Sequence, residues 1–506
     1  MKSLGIVSFF FSAIFTIAAQ TNSASVATTL ANTAARAMSL QDCIQEALAH
    51  NLDVQIQRYN PQVDLYNLRG AYSGYDLTWN ISGEHSFNST ASEFVGTNLE
   101  PGYIEKSDSF NSGVGGTLPW GLQYDFSGNI AQEKQMQTGF GGNEVTPGSI
   151  QVSLTQPLLK NFWIDSTRLG IRLAKNTLQS DEQSLRLHII NDVTSVANAY
   201  YELIYAFENV QVQQEALELS QTQLDQDQER VEIGSLAPLS VQQDQSQVAQ
   251  NQANLISAQE TLSVDQNTLK GLIADTNYIM WHNLDIHPTE TLVAQMQEFD
   301  LQDSWNKGMT ERPDLIQARL TAESQGVQLK YDYNQLFPSL DLTGSYGYNG
   351  SGPQYSDSFG GIQQGNAPFY SYGANLSMPI GNVGARNKYK ADKVTLQQYL
   401  LELKQDEQNV MVQIDNAVKM AESDYESVNA TKQARIYAEA ALDAEQKTYA
   451  VGKATTFEVL TYQNDLTLAR SEEIRALANY EEALATLAQQ EGSTMEKYGI
   501  DIELGR

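Results

Sequence analysis

The sequence predicts a mixed α and β fold, internally duplicated, in which long coiled-coil helical hairpins hang from β-strands. Three observations carry this: two similar hairpin tips, an unbroken heptad seam, and alternating strand segments between the helices of each half. The first tip reads Val231-Glu232-Ile233-Gly234-Ser235-Leu236-Ala237-Pro238-Leu239-Ser240-Val241. The second reads Tyr449-Ala450-Val451-Gly452-Lys453-Ala454-Thr455-Thr456-Phe457-Glu458-Val459. In each, a glycine follows an aliphatic helix end, a turn of small residues comes next, and a second amphipathic helix begins. Glycine suits the left-handed conformation that ends many helices. The repeat is far longer than the roughly 20–50 residues of common solenoids, so it describes two similar halves of one architecture.

The seam is the clearest local signal. Ile189, Val196, Leu203, Val210, Leu217, Leu224 and Val231 form one row, with Val193, Tyr200, Phe207, Gln214, Gln221 and Gln228 between them. This alternating three-and-four spacing is that of a coiled coil, aromatic at one end and rich in glutamine towards the tip. Val241, Val248, Leu255, Leu262 and Leu269 continue it on the returning helix. In the second half, Leu403, Val410 and Ala417 mark the descending helix, and Leu460, Ile474, Leu477, Leu484 and Leu487 the ascending one.

Lengths then fix the plan. The descending helices are expected at about Thr167–Glu232 and Ala385–Val451, each roughly 100 Å long at 1.5 Å per residue. The ascending helices end near Ile273 and Gln490, at about half that length. Each half also opens on a half-length helix, Ser39–Tyr72 and Leu301–Gln335. Two half-length helices, one above the other, match one full-length partner. The expected division is a first repeat at 39–273, an equatorial connection at 274–300 with Trp281 and Pro288, a second repeat at 301–490, and a tail at 491–506.

Strands lie between the first and second helix of each half. Leu77, Trp79, Ile81, Gly83, His85 and Phe87 alternate with polar residues, as do Leu122, Tyr124, Phe126 and Ile130. Leu340, Leu342 and Tyr346 lead a strand of the second half, and Tyr370 to Met378 form another. Period-2 alternation with aromatics and glycines fits a lipid-facing barrel strand, and equally a half-buried antiparallel sheet. Phe110 to Ile130, broken at Leu118-Pro119-Trp120-Gly121, has no counterpart between Tyr348 and Tyr370 and reads as an extra hairpin.

Composition narrows the function. A net charge of −30 argues against nucleic acid, whose phosphates need clustered Lys and Arg. Lys2 followed by the apolar run Leu4 to Ala19 and the small residues up to Ser25 reads as a signal peptide over 1–24, cleaved near 19–24. No later run reaches the roughly 20 apolar residues of a spanning helix, so a membrane location requires a closed β-barrel. Cys43, the single cysteine, sits in a helical pattern and reads as a packing residue. The histidines are scattered except His282 and His287, which read as polar surface rather than a metal site. No P-loop, dinucleotide fingerprint or nucleophile elbow is present, so no catalytic residue, cofactor or metal is expected.

Several short stretches, in order, carry a family resemblance. They are Leu40-Gln41-Asp42-Cys43-Ile44-Gln45-Glu46-Ala47-Leu48-Ala49-His50-Asn51, its second-half counterpart Arg312-Pro313-Asp314-Leu315, the strand-to-helix corners Gln156-Pro157-Leu158 and Met378-Pro379-Ile380, and the tip Tyr449 to Leu460 followed by Gln463 and Leu466. Together they resemble the TolC family of outer membrane efflux proteins across nearly the whole mature chain. The resemblance implies a homotrimer in the outer membrane lipid, with a joint β-barrel and a long periplasmic tunnel. It implies an exit duct for small molecules or polypeptides, served by a periplasmic adaptor (membrane fusion) protein and an inner membrane pump of proton-driven or ATP-driven type.

In that family acidic residues line the tip constriction. Glu458 falls on the first acidic position, whereas the second carries Thr461; Asp465 and Asp244 are candidates to compensate, against the plainer reading of solvated helix charges. The turns with Gly234, Ser235, Leu236 and with Gly452, Lys453, Ala454 are where the family's adaptor would dock. The rival expectation is a structural trimeric coiled-coil protein, periplasmic or on the surface, without channel activity; it explains the heptads but not the amphipathic strands.

Overall fold

A computed structural model describes residues 36–95, 98–100, 102–137, 142–274 and 284–501. The expected signal peptide lies outside them, as do Trp281, His282 and residues 502–506. The first half contains β1 (Arg36–Met38), α1 (Leu40–His50), α2 (Leu52–Ala71), β2 (Thr78–Thr90), β3 (Glu93–Val95), β4 (Asn98–Glu100), β5 (Tyr103–Thr117), β6 (Gln123–Gln137), β7 (Gly142–Pro157), α3 (Ser166–Glu232) and α4 (Pro238–Ile273). After β8 (Ile286–Pro288) come α5 (Leu301–Glu311), α6 (Pro313–Asn334), β9 (Ser339–Gly352), α7 (Tyr355–Gln364), β10 (Pro368–Ser377), α8 (Val383–Ala450), α9 (Thr456–Glu491) and α10 (Thr494–Lys497).

Helices α3 and α8 have 67 and 68 residues, and their returning partners α4 and α9 have 36 each. Neighbours run α2–α3–α6–α8 in the half nearer the sheet and α4–α3–α9–α8 in the half nearer the tips. Each opening helix, expected as one piece, is two. Asn51 ends α1 with ψ 125°, and its Oδ1 accepts from Asp53 N at 2.8 Å while its Nδ2 donates to the Leu272 carbonyl at 3.1 Å. Arg312 makes the second break because a residue before proline is pushed out of the helical region. Its guanidinium then bonds Asp314, Gln413 and the Gln490 carbonyl, tying the end of α9 to the break.

The core lies where these breaks meet the long helices. Met38, Cys43, Ile44, Ile189, Val196, Leu203, Leu269 and Ile286 are buried in one cluster, and Tyr200 donates to the Met38 carbonyl at 3.0 Å. Burial raises the Cys43 thiol to about 12, consistent with packing and not reactivity. Towards the tip the buried row departs from the expected heptad. Gln214, Gln221 and Gln228 are exposed, and Val212, Ala216, Ser220, Gln223 and Asp227 are buried instead. A straight helix drifts about 20° per heptad relative to a 3.5-residue repeat. Without enough supercoil to cancel that drift, a different row turns inward.

All strands of the main sheet are antiparallel, in the order β10-β9-β7-β6-β5-β2. The extra hairpin is therefore β5–β6, an integral part of the sheet. Register places Trp79, Ile81, Phe110, Phe126, Val152, Leu154, Tyr346 and Tyr370 on one exposed face. The other face is concave, lined by Asn80, Ser82, Asn111, Ser127, Asn129, Ser149 and Gln151. The interval between β9 and β10 holds α7, which lies on the apolar face over Gly148, Gly350 and Gly352. Ser358 Oγ donates to the Gly350 carbonyl at 3.1 Å. A Cβ on Gly350 would collide with the Ser358 backbone. Gly350→Ala is therefore expected to lift α7 off the sheet; limited proteolysis should cut the 353–367 segment faster while the thermal transition of the helices stays unchanged.

Candidate functional site at the helix tips

Both hairpin turns are built alike. Gly234 and Gly452 adopt φ +76° and +75°. Ser235 N donates to the Arg230 carbonyl at 2.8 Å and Lys453 N to the Thr448 carbonyl at 3.1 Å. These bonds close the helix ends in the Schellman manner. Pro238 then opens α4, where its missing N–H costs nothing. Thr455 opens α9 with a capping box: Thr455 Oγ1 accepts from Glu458 N at 3.3 Å, and Glu458 Oε2 accepts from Thr455 N at 2.8 Å. These bonds hold the Glu458 carboxyl below its ordinary pKa. Glu458 and Asp465 are exposed.

Asp244 is not a solvated charge. It is fully buried, and so is Asp227 opposite it on α3. Tyr449 Oη donates to Asp227 Oδ1 at 2.5 Å, and Thr456 Oγ1 donates to Asp227 Oδ2 at 3.0 Å. Arg230 covers the Tyr449 ring at 4.6 Å. Neither oxygen of Asp244 meets a donor other than what Asp227 can share. Burial, then the Asp227 charge, raises Asp244 to about 7. A proton held between two carboxyls satisfies both, because like charges at contact cannot both ionise. One residue from each of α3, α4, α8 and α9 thus meets at one point just above the turns.

Sequence reasoning named Asp244 and the Tyr449 stretch but missed Asp227, which sits off the heptad row. Higher up, ion pairs join the two hairpins: Arg475 to Glu202 at 2.7 Å and Arg470 to Glu215 at 2.9 Å. The His287 ring lies against Phe207, tilted by 46°, with ring centroids 4.8 Å apart. Among the described residues, no group of His, Cys, Asp and Glu could hold a metal. No described helix is long and apolar enough to cross a membrane.

Comparison with known proteins gives this geometry a family. The sequence profile of the family described as outer membrane efflux protein matches residues 119–275 and 307–493, more than half of the chain. The chain belongs to the outer membrane efflux protein family. It is 27% identical over 338 residues to the outer membrane protein TolC of Escherichia coli, covering 62% of this chain and 64% of that protein. It is 26% identical over 413 residues to TolC of Salmonella enteritidis, covering 77% and 78%. The crystal structure of the outer membrane protein VceC from Vibrio cholerae superposes with a TM-score of 0.64 at 17% identity, covering 90% and 96% of the two chains. Membership in the family makes this an outer membrane protein of efflux, with a large periplasmic part.

The buried acid pair makes the tips sensitive to pH. The folded pKa of Asp244, about 7, lies above its ordinary 3.8. The stabilisation is therefore complete below about 3.8 and lost as pH rises through about 7. Spin labels at the exposed Glu232 and Lys453 should give a narrow distance distribution at pH 5 and a broad one at pH 8.5. Asp244→Asn, whose amide donates to Asp227 at any pH, should stay narrow at both.

Proposed function

We propose that this protein is the passive exit duct of a tripartite efflux or type I secretion system, with three copies forming one channel. The observation that carries the reading is the sheet. Its outward face is apolar in the band nearer the helices, with His85, Lys106, Asp108, Lys134 and Glu144 only farther out. Its concave face is polar, and it runs directly into the long helices, as a barrel continuous with a tunnel requires. Its six strands fall short of the eight of the smallest membrane barrels, so closure needs further copies. Tripartite efflux channels of this family supply the number three.

The same reading assigns the tips. Ile233, Leu239, Val451 and Phe457 are exposed around Gly234, Ser235, Leu236, Gly452, Lys453 and Ala454. Apolar side chains left in water beside two turns suit docking of a periplasmic adaptor protein, which would couple the duct to an inner membrane pump, proton-driven or ATP-driven. Glu458 and Asp465 would supply the acid of the constriction; Asp244 would act through its tie to Asp227.

Charge on the concave face adds a preference. Glu84, Glu105, Asp125, Glu133 and Asp341 lie there, and among the described strand residues no Lys or Arg does. Fixed charge of one sign in a confined lumen favours counter-ions, so the conduit is expected to prefer cations.

Planar bilayers test the reading. Wild-type protein should insert and give small, cation-preferring steps. Asp227→Ala, which removes the tie at the tips, should raise the conductance several-fold with little change in ion preference. Protein that inserts yet never conducts, in either form, would sink the channel reading.

A further inference from the structure

We infer that the outer membrane barrel is eighteen-stranded, closed by pairing the β2 edge of one copy with the β10 edge of the next. The inference rests on the three-copy reading above and concerns what each copy contributes: six strands each from three copies give eighteen.

Both borders of the chain are legible in two layers. In the sheet the outermost strands are β2 and β10. In the helical layer just below, the outermost helices are α2 and α8. Helix α2 leads into β2, and β10 leads into α8, so one flank carries α2 and β2 and the other β10 and α8. The flank of α2 exposes Leu52, Ile56, Tyr59, Val63 and Tyr66 in three-and-four spacing, an unpartnered seam. The flank of α8 exposes Val383, Val394, Leu401 and Val412. Two different, facing flanks make a heterologous, head-to-tail contact, which closes into a ring when the rotation permits.

Strand direction agrees. β2 runs away from the helices and β10 runs towards them, so the pair made between copies is antiparallel like every pair within the main sheet. Leaving either edge open in hydrocarbon would strand a row of backbone donors and acceptors.

The hairpin β5–β6 decides the strand number. Residues 78–90 pair with 103–115, and 123–136 pair with 142–155, so the hairpin is bonded on both sides. Were it extruded, β2 would have to pair with β7 and the ring would have twelve strands. At a spacing of about 4.8 Å and a tilt of about 40°, eighteen strands make a ring about 36 Å across and twelve about 24 Å. Four helices per copy make twelve in the layer below, and at about 9–10 Å between axes their ring is about 34–38 Å across. At that tilt, eighteen strands match the helical ring in width. The barrel is then no filter by size, and the tips are left as the narrow point for cargo.

Cysteine pairs in the full chain, oxidised in membranes, test this. Cys43 is buried and adds no background. Ser82→Cys should cross-link copies when combined with one of Ser371→Cys, Gly373→Cys or Asn375→Cys, all on the concave face, and no single variant should. Ser82→Cys with Ser149→Cys should stay reduced, because two strands separate these positions. A cross-link within one chain at that last pair, or a cryo-electron microscopy map of the trimer with twelve strands, would overturn the inference. A native mass other than three copies would instead overturn the three-copy reading on which it stands.

Discussion

An open sheet edge cannot rest in hydrocarbon, and the rest of this molecule follows from that constraint. Every backbone N–H and C=O in lipid must be bonded within the protein. Six strands of one chain leave β2 and β10 with one unpaired edge each. The chain is therefore incomplete by design, and its helices must present matching borders where its strands do. They do so because each edge strand is covalently joined to a border helix, α2 to β2 and β10 to α8. On the three-copy reading, closure of the barrel and closure of the tunnel are one event.

The helical layer solves a second problem, that of holding helices of about 100 Å upright. Single long helices have little intrinsic stability, and packing supplies most of it. Here the long helices are packed by pairs of shorter ones, and the breaks between the short ones carry the densest core. Met38, Tyr200, Leu203 and Ile286 gather at one level of α3, and Leu315, Val410, Ile414 and Leu487 gather in the second half. Towards the tips the buried positions become small or polar, as at Ser220, Gln223 and Asp227. Stability is thus concentrated at mid-height and thinned where movement would be useful.

Much of this was readable in the sequence, for physical reasons that also mark where reading failed. The ends of α3 and α8 are announced by Gly234 and Gly452, whose positive φ is a local property. The break at Arg312 was available in Pro313 and the break at Asn51 in its own side chain, which caps the next helix by accepting from Asp53 N. Only its second bond, to the Leu272 carbonyl some two hundred residues away, had no local signal. The hairpin β5–β6 was visible as strands; its membership of the sheet is a matter of register between distant segments. Asp227 was invisible because a heptad template assumes supercoil, and the drift of a nearly straight helix moved the buried row onto it. The capping box at Thr455 and Glu458 was a local signal of the same kind as the glycines, and it gives Glu458 a structural duty beside any duty at the constriction.

The acid pair is the place where the fold departs from what stability alone would select. Burying a polar group costs free energy unless it is bonded, and burying a charge costs far more. A pair of apolar residues at 227 and 244 would close the same space with no titration, and such replacements of buried polar pairs are often neutral or stabilising. Instead the tie depends on a proton, on the Tyr449 and Thr456 hydroxyls, and on four helices meeting at once. Losing any one partner strands Asp227 and weakens all four contacts together, since members of one buried network do not act independently. A contact that breaks as a unit is what a closed tip needs if it is to open as a unit. The glycine turns below it leave Gly234 and Gly452 in open space, so the buried network just above them, not the turns, is where the four helices are held together.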